Sequence, residues 1–569
     1  MGRFLINENR DADLRNFIGS SISGTTREVV SVRRFGARGG NTPGANRAAI
    51  QAAIDAAIAD GLALSLERET YTVDDELLVD EAERLEILGN HAVVQQSAAQ
   101  KATFHIRNSS DCVVSGLSLV GNGTETPWAG GNTSWNQVAG IHINGCSGVS
   151  VSGCRLSNHA GGGIRFSSGC ERLSVTQNTI IGLTRDDIAA EDNGNDVAIG
   201  STGQSIISDL VLLDTVISGN IIRGHAFGIS PSRAVNCSVT SNSISNIPGQ
   251  HGIYVQSNSE AVTIAGNSIN NVAQVGIKVQ SSQAADHRNI VIDGNSILNA
   301  NQGVLVNHLA SGQFFRGVVV SNNAVTRGSE SYLGVNGLED GIALDRCLDA
   351  VVTDNRVSGQ GRYGIFGRRF SGIVADNKVR GIGHDGIFLQ LADDTVVADN
   401  FVVDSVQSDL AATTGRQAPI EINRHPDALV NPVKAFVNNN TLDNPSGNGD
   451  AMLYSLRASS GVKAYVDGIT NLTDKLWRLD DAPAYMRINV SRSADYFATA
   501  SLNPTTPIYG EGRRRLYGTQ DPAAASMTDY FRPGDICWNA APAASGTIGW
   551  VCVSAGTPGT WKAFGDIEA

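Results

Sequence analysis

The chain is poor in the residues that build compact, helix-rich domains. Aromatic residues make up 6% and charged residues 17% of its 569 positions. No basic excess exists: 43 Lys and Arg stand against 56 Asp and Glu, a formal net charge of -13. Phosphate binding needs a basic face, so a nucleic-acid partner is not expected, and any attraction to an acidic polysaccharide has to be local. No apolar run reaches the length of a membrane span, and "MGRFLINENRDADLRNF" has no apolar signal core. Membrane insertion is therefore not expected; the chain is expected outside the cell or on a virion, with the cytoplasm as the alternative. The eight cysteines include no close CxxC pair, which removes the usual zinc signature. Cys112, Cys146, Cys154, Cys170, Cys237 and Cys347 are scattered through strand-like segments and read as small buried apolar residues. Cys537 and Cys552 lie in two short apolar runs and can pair only if those runs are neighbours.

What the chain has in abundance is glycine, 63 residues, with Ser, Asn and Thr. There is no G-X-Y period, so collagen is excluded, and the mixture suits many short strands and turns. A phrase G-I-x-V or a near relative begins at Gly140, Gly163, Asp187, Gly228, Gly252, Gly276, Gly303, Gly341, Gly364 and Gly386. Most spacings are 22 to 27 residues, with longer intervals of 41 after Asp187 and 38 after Gly303. A second phrase, N-x-(I/V/L), carries Asn178, Asn220, Asn242, Asn267, Asn295, Asn323, Asn355, Asn377, Asn400 and Asn440. Two strand phrases and a turn asparagine, repeated every two dozen residues, describe one coil of a parallel β-helix. Alternating Ile and Val send one set of side chains inward. Asparagine tolerates a left-handed turn and can bond along the axis, and glycine supplies corners. The leucine dominance of a leucine-rich repeat is missing, and a propeller blade would need about 40 residues.

The fold expected is all-β: a right-handed parallel β-helix with an N-terminal capping helix and a smaller C-terminal β domain. Residues 1–30 read as an arm, 31–445 as the capped β-helix, and 446–569 as a β-rich domain with Trp538, Trp550 and Trp561. Asn46 is placed as the cap of a helix from about Arg47 to Asp60, with Ile50, Ile54 and Ile58 on one side. Loops are inserted near residues 190–209, 326–340 and 407–420.

Ionisable side chains crowd the coils between Arg165 and Lys278, next to the G-I-x-V strand. "TRDDIAAEDNGND" is the densest element, gathering Arg185, Asp186, Asp187, Glu191 and Asp192. Paired carboxylates of this kind can serve as acid and base or nucleophile in glycoside hydrolysis. They can also bind a hard cation such as Ca2+, although no EF-hand pattern is present and no metal or other cofactor is required. Elimination from a uronate needs a base and a group that neutralises the carboxylate. His251 and Lys278 are the candidates for the base. Arg165, Arg185, His225, Arg233 and Tyr254 are the candidates for substrate binding. Hydrolysis by Asp186 or Asp187 with Glu191 or Asp192 is preferred because that cluster is the densest. A lyase and a noncatalytic carbohydrate-binding fibre are the alternatives.

"VVSVRRFGARGG" followed by "AAIQAAIDAA" resembles the opening strand and capping helix of the pectate-lyase-like superfamily, over roughly residues 29–445. That superfamily includes polysaccharide lyases, polygalacturonase-type hydrolases, uronan epimerases and phage tailspike depolymerases. Gly40 and Asn41 replace its usual aspartate. Of the polygalacturonase pattern, Asp186-Asp187 matches D-D, "GHAFG" matches G-H-G loosely, and "GIKV" matches R-I-K in part, with no preceding N-T-D. The uronan epimerase D-P-H is also missing. The resemblance implies a polysaccharide or oligosaccharide substrate. The ending "GDICWNAAPAASGTIGWVCVSAGTPGTWKAFG" resembles phage tail fibres and implies a homotrimer.

Overall fold

The computed structural model describes residues 28–568, apart from 99–100, 124–137, 160, 168, 183–196, 202–211, 284–286, 329–338, 406–417, 431, 444–453, 459–461, 468–469, 472–475, 480–508, 511–512, 519, 525–530 and 540. Val29–Ser31 starts the stack by pairing in parallel with Ala63–Ser65. Between them lies helix α1, Pro43–Asp60, which packs against the first strands and buries Ile50, Ala53, Ile54 and Ala57. Its cap is Thr42, not Asn46: the Thr42 side chain accepts from the Ala45 N–H, with Pro43 in the first turn. Asn46 is instead buried inside the helix, where its Oδ1 accepts from the Arg38 N–H at 3.0 Å.

Each regular coil has three short strands. Ile141–Asn144 (β1), Ser150–Ser152 (β2) and Arg155–Ser157 (β3) form one such coil. The next coil repeats them as Gly162–Ser167, Ser174–Thr176 and Thr179–Ile181, paired in parallel and in register. The same pairing joins 43 strands into one sheet. Ile and Val from all three strand types fill the interior as one continuous apolar core. Complete burial of each such side chain stabilises the stack by about 1.5–3 kcal/mol.

The asparagine phrase lies at the corner between the β2-type and β3-type strands. Asn178, Asn220, Asn242, Asn267, Asn295, Asn323, Asn355, Asn377, Asn400 and Asn440 form one buried ladder, each Nδ2 donating to the next Oδ1 at 2.9–3.0 Å. The left-handed residue of this corner is not the asparagine, as the sequence suggested, but the one before it, such as Gln177 (φ 57°), Ser241 (φ 56°) or Asp354 (φ 58°). The column asparagine keeps its side chain turned inward to bond along the axis. Glycine in the G-I-x-V phrase is likewise required by space. A Cβ on Gly252 would come within 2.6 Å of the Gly276 carbonyl oxygen and 2.9 Å of Ile269 Cγ2.

Parallel pairing does not stop at residue 445. Val462–Asp467 pairs with Val433–Asn438, and Leu476–Leu479 pairs with Tyr454–Ala458. The stack therefore reaches Leu479, because "VKAYVD" keeps the inward alternation after the two repeat phrases have faded. Five further strands between Tyr509 and Asp566 form a separate, mainly antiparallel sheet. In it Trp538 stands edge-on to Phe564 and Trp561 to Phe531, all three tryptophans being half-buried. All eight cysteines are buried thiols outside any disulfide, including Cys537 and Cys552 on paired strands.

Candidate functional site

The β1-type strand turns one residue of its central Ile-x-Val outward in every coil. Register places those residues in a single column: Leu78, His105, His142, Arg165, Gly200, Ser230, Tyr254, Lys278, Leu305, Ala343, Phe366, Phe388, Glu421 and Arg457. Neighbours in it are about 4.8 Å apart along the axis. The residue before the phrase's glycine reaches the same face, since His251 meets Tyr254 and Tyr363 meets Phe366.

His251, Tyr254 and Lys278 come together on three sides of one another. Lys278 Nζ lies 3.3 Å from His251 Nε2 and 4.7 Å from the centre of the Tyr254 ring. His251 and Tyr254 meet edge to face at 4.9 Å. Phe227 closes the group, stacked on Tyr254 at 5.9 Å and edge-on to His251 at 5.6 Å. With Val197 and Ala226 it forms an apolar cluster separate from the helix core, against which Tyr254 packs. The Tyr254 hydroxyl donates to Gln280 Oε1 at 2.7 Å, and Gln280 Nε2 donates in turn to Asn307 Oδ1 at 3.2 Å.

Burial determines how these groups titrate. It lowers Lys278 to about 8 and raises the Tyr254 phenol to about 12. Burial, helped by the Lys278 charge, holds His251 well below the usual histidine range. A neutral His251 accepts from the Lys278 ammonium at Nε2, which assigns its proton to Nδ1. That Nδ1 is buried and has no hydrogen-bond partner among the described residues.

The remaining candidates are placed differently. Arg165 lies in the outward column next to His142 but is 1% exposed. His142 stacks on His105 at 4.4 Å, bonds Ser167 Oγ at 2.7 Å, and is lowered to about 3 by burial, then by the charges of His105 and Arg165. His225 is buried, and its charge adds to the burial that lowers His159 to about 3. Arg233 is at the corner after the β1-type strand, at φ 51°, and not in the outward column. Arg185, Asp186, Asp187, Glu191 and Asp192 lie outside the described residues.

A second polar group stands on the later coils, beside the apolar Phe366 and Phe388 of the outward column. Arg362 makes a two-pronged bond to buried Asp340, Nε to Oδ1 at 2.7 Å and Nη2 to Oδ2 at 2.5 Å. Its guanidinium lies over Tyr363 at 5.0 Å and Phe366 at 5.7 Å, and Phe388 stacks on Phe366 at 5.6 Å. The signal was in the sequence, because Asp340, Tyr363 and Asp385 precede the phrase's glycine. Arg362 lies one residue further back, immediately before Tyr363.

Two family profiles match parts of the chain: a right-handed β-helix region over residues 251–425 and the periplasmic copper-binding protein NosD over residues 83–284. Among the described residues no group of three or more His, Cys, Asp or Glu side chains is disposed to hold a metal ion. No curated protein matches. Among solved structures, pre-mature gene product 12 of bacteriophage phi29 is 13% identical with a TM-score of 0.50, covering 90% of this chain and 61% of its own. The Agl-KA catalytic domain is 15% identical with a TM-score of 0.43, covering 78% and 69%. The Dettilon tailspike protein is 15% identical with a TM-score of 0.35, covering 83% and 73%. At these identities the likeness is one of fold alone. No described helix is long and apolar enough to cross a membrane.

Proposed function

For a chain folded as a right-handed parallel β-helix with a titratable cluster on one side, we propose a carbohydrate-active enzyme. Its reaction is β-elimination within a uronic-acid-containing polysaccharide. The observation that carries this reading is the His251–Tyr254–Lys278 group. Lys278, lowered to about 8, holds a useful fraction of free amine near neutrality. It is the base that removes the C5 proton, which is acidified by the adjacent carboxylate. The electron pair forms the C4–C5 double bond, and the C4–O bond breaks. Tyr254, raised to about 12, keeps its proton through the working range, and its hydroxyl turns from Gln280 Oε1 to deliver that proton to the leaving oxygen. The buried His251 Nδ1–H donates to the carboxylate as charge builds on it. Arg165 and Arg233 are not needed for this step.

Hydrolysis through Asp186 or Asp187 with Glu191 or Asp192 makes a different product. On a panel of uronate polysaccharides, elimination gives new reducing ends together with the ultraviolet absorbance of an unsaturated uronate. Reducing ends without that absorbance would transfer the chemistry to the acidic segment. Binding with neither signal would leave a noncatalytic fibre. A homotrimer is part of the same proposal, and a monomeric mass by light scattering at micromolar concentration rejects it.

A further inference from the structure

On the face that carries Lys278, one polar side chain has nothing to bond. Gln302 is 1% exposed, and both its Oε1 and its Nε2 are buried without a hydrogen-bond partner among the described residues. A buried amide left bare in this way opposes folding. Any apolar residue of similar size would remove that cost, and no described residue gives the amide a bond that would offset it. Its place is informative. Gln302 precedes Gly303 as His251 precedes Gly252, and it pairs in register with Val275 of the intervening coil. Two coils separate it from His251, which is about 10 Å along the axis and close to two sugar residues. His251 also presents an unpartnered buried atom, Nδ1, on this face. By register Leu305 and Ala343, both apolar, follow Lys278 in the outward column, and Asp340, bonded to Arg362, precedes the phrase's glycine one coil after Gln302.

We propose that Gln302 is a substrate-positioning residue that reads a vicinal pair of hydroxyls on a sugar two residues away from the one held at His251. The chemistry matches in both directions. One hydroxyl accepts from Nε2–H and its neighbour donates to Oε1, while the C–H face of the ring lies on Leu305 and Ala343. A charged group fits poorly, because the carboxamide sets a donating NH2 beside an accepting carbonyl and has no net charge. The inference rests on the glycan reading above, but not on its being an elimination.

The test uses the full chain, a polysaccharide array for binding, and the Gln302→Met and Gln302→Leu variants. Methionine follows the path of glutamine without its polar atoms. The expected result is an affinity for the bound glycan lowered about tenfold or more, with a melting temperature equal to or above that of the parent. A KM raised on long chains, with cleavage of disaccharides unchanged, would show the same thing kinetically. If both variants bind as the parent does, the assignment is wrong. It is also wrong if both melt several degrees lower, since the amide is then part of the fold. Binding without an unsaturated product defeats the elimination and leaves the Gln302 test intact. Absence of binding to every glycan on the array defeats both.

Discussion

Two lines of buried polar side chains run along this β-helix, and they are built in opposite ways. In the asparagine ladder the amides are consumed. Asn267 donates to the Val239 carbonyl and to Asn295 Oδ1, while its own Oδ1 accepts from both the backbone and the side chain of Asn242. On the face of the β1-type strands, polar atoms are left without a bond among the described residues: one ring nitrogen each on His105, His142 and His251, and the whole amide of Gln302. Satisfied buried polar groups specify a fold, whereas unsatisfied ones tax it and persist where a ligand completes them. The ladder is therefore read as structure and the other face as function.

The largest effect expected is on turnover. Lys278→Ala should reduce the rate of unsaturated-product formation by about 100- to 10,000-fold while the melting curve stays near that of the parent. Near-normal turnover by a folded variant would remove the base from this face and break the contrast.

Next comes stability. Asn267→Ala strips partners from the Asn242 amide, the Asn242 N–H and the Val239 carbonyl together, and should cost about 3 kcal/mol or more by denaturant titration. A loss within error would mean that the ladder is not a structural spine.

The pH dependence sharpens the contrast further. The free amine is the active form of Lys278, so activity should rise as pH increases through about 8, and that limb should vanish in Lys278→Ala. Its stability linkage has the same sign. Between about 8 and the ordinary lysine value the unfolded chain holds a proton that the folded chain has released, so this group's contribution grows with pH. For His142 and His159, folding lowers the value from 6.5 to about 3. Unfolded histidines take up protons that the folded ones refuse, so stability should fall as pH drops from 6.5 towards 3. His159→Gln should flatten that fall in a denaturant-midpoint series.

The smallest effect expected is at the start of the stack. Thr42→Ala should cost about 1 kcal/mol, and Asn46→Ala should act through the lost Arg38 bond and not through capping.

The sequence by itself determined the repeat, the stacking asparagines, the capping helix and the outward column, because each depends on a local period that survives translation from coil to coil. The asparagine column was legible to its last member, Asn440. It did not reveal which residue takes the left-handed turn, since both residues of the corner are small or polar and only the stacked geometry assigns the inward one. The end of the stack was also hidden, because "VKAYVD" keeps the alternation without either marker phrase. His251, Tyr254 and Lys278 were readable as neighbours on one side from spacing alone. Only the tertiary structure decided that burial moves their proton affinities, that Arg362 reaches back to Asp340, and that Gln302 is enclosed without a partner among the described residues. Those facts depend on which side chains meet across coils more than 20 residues apart in sequence, and on how much water their packing excludes.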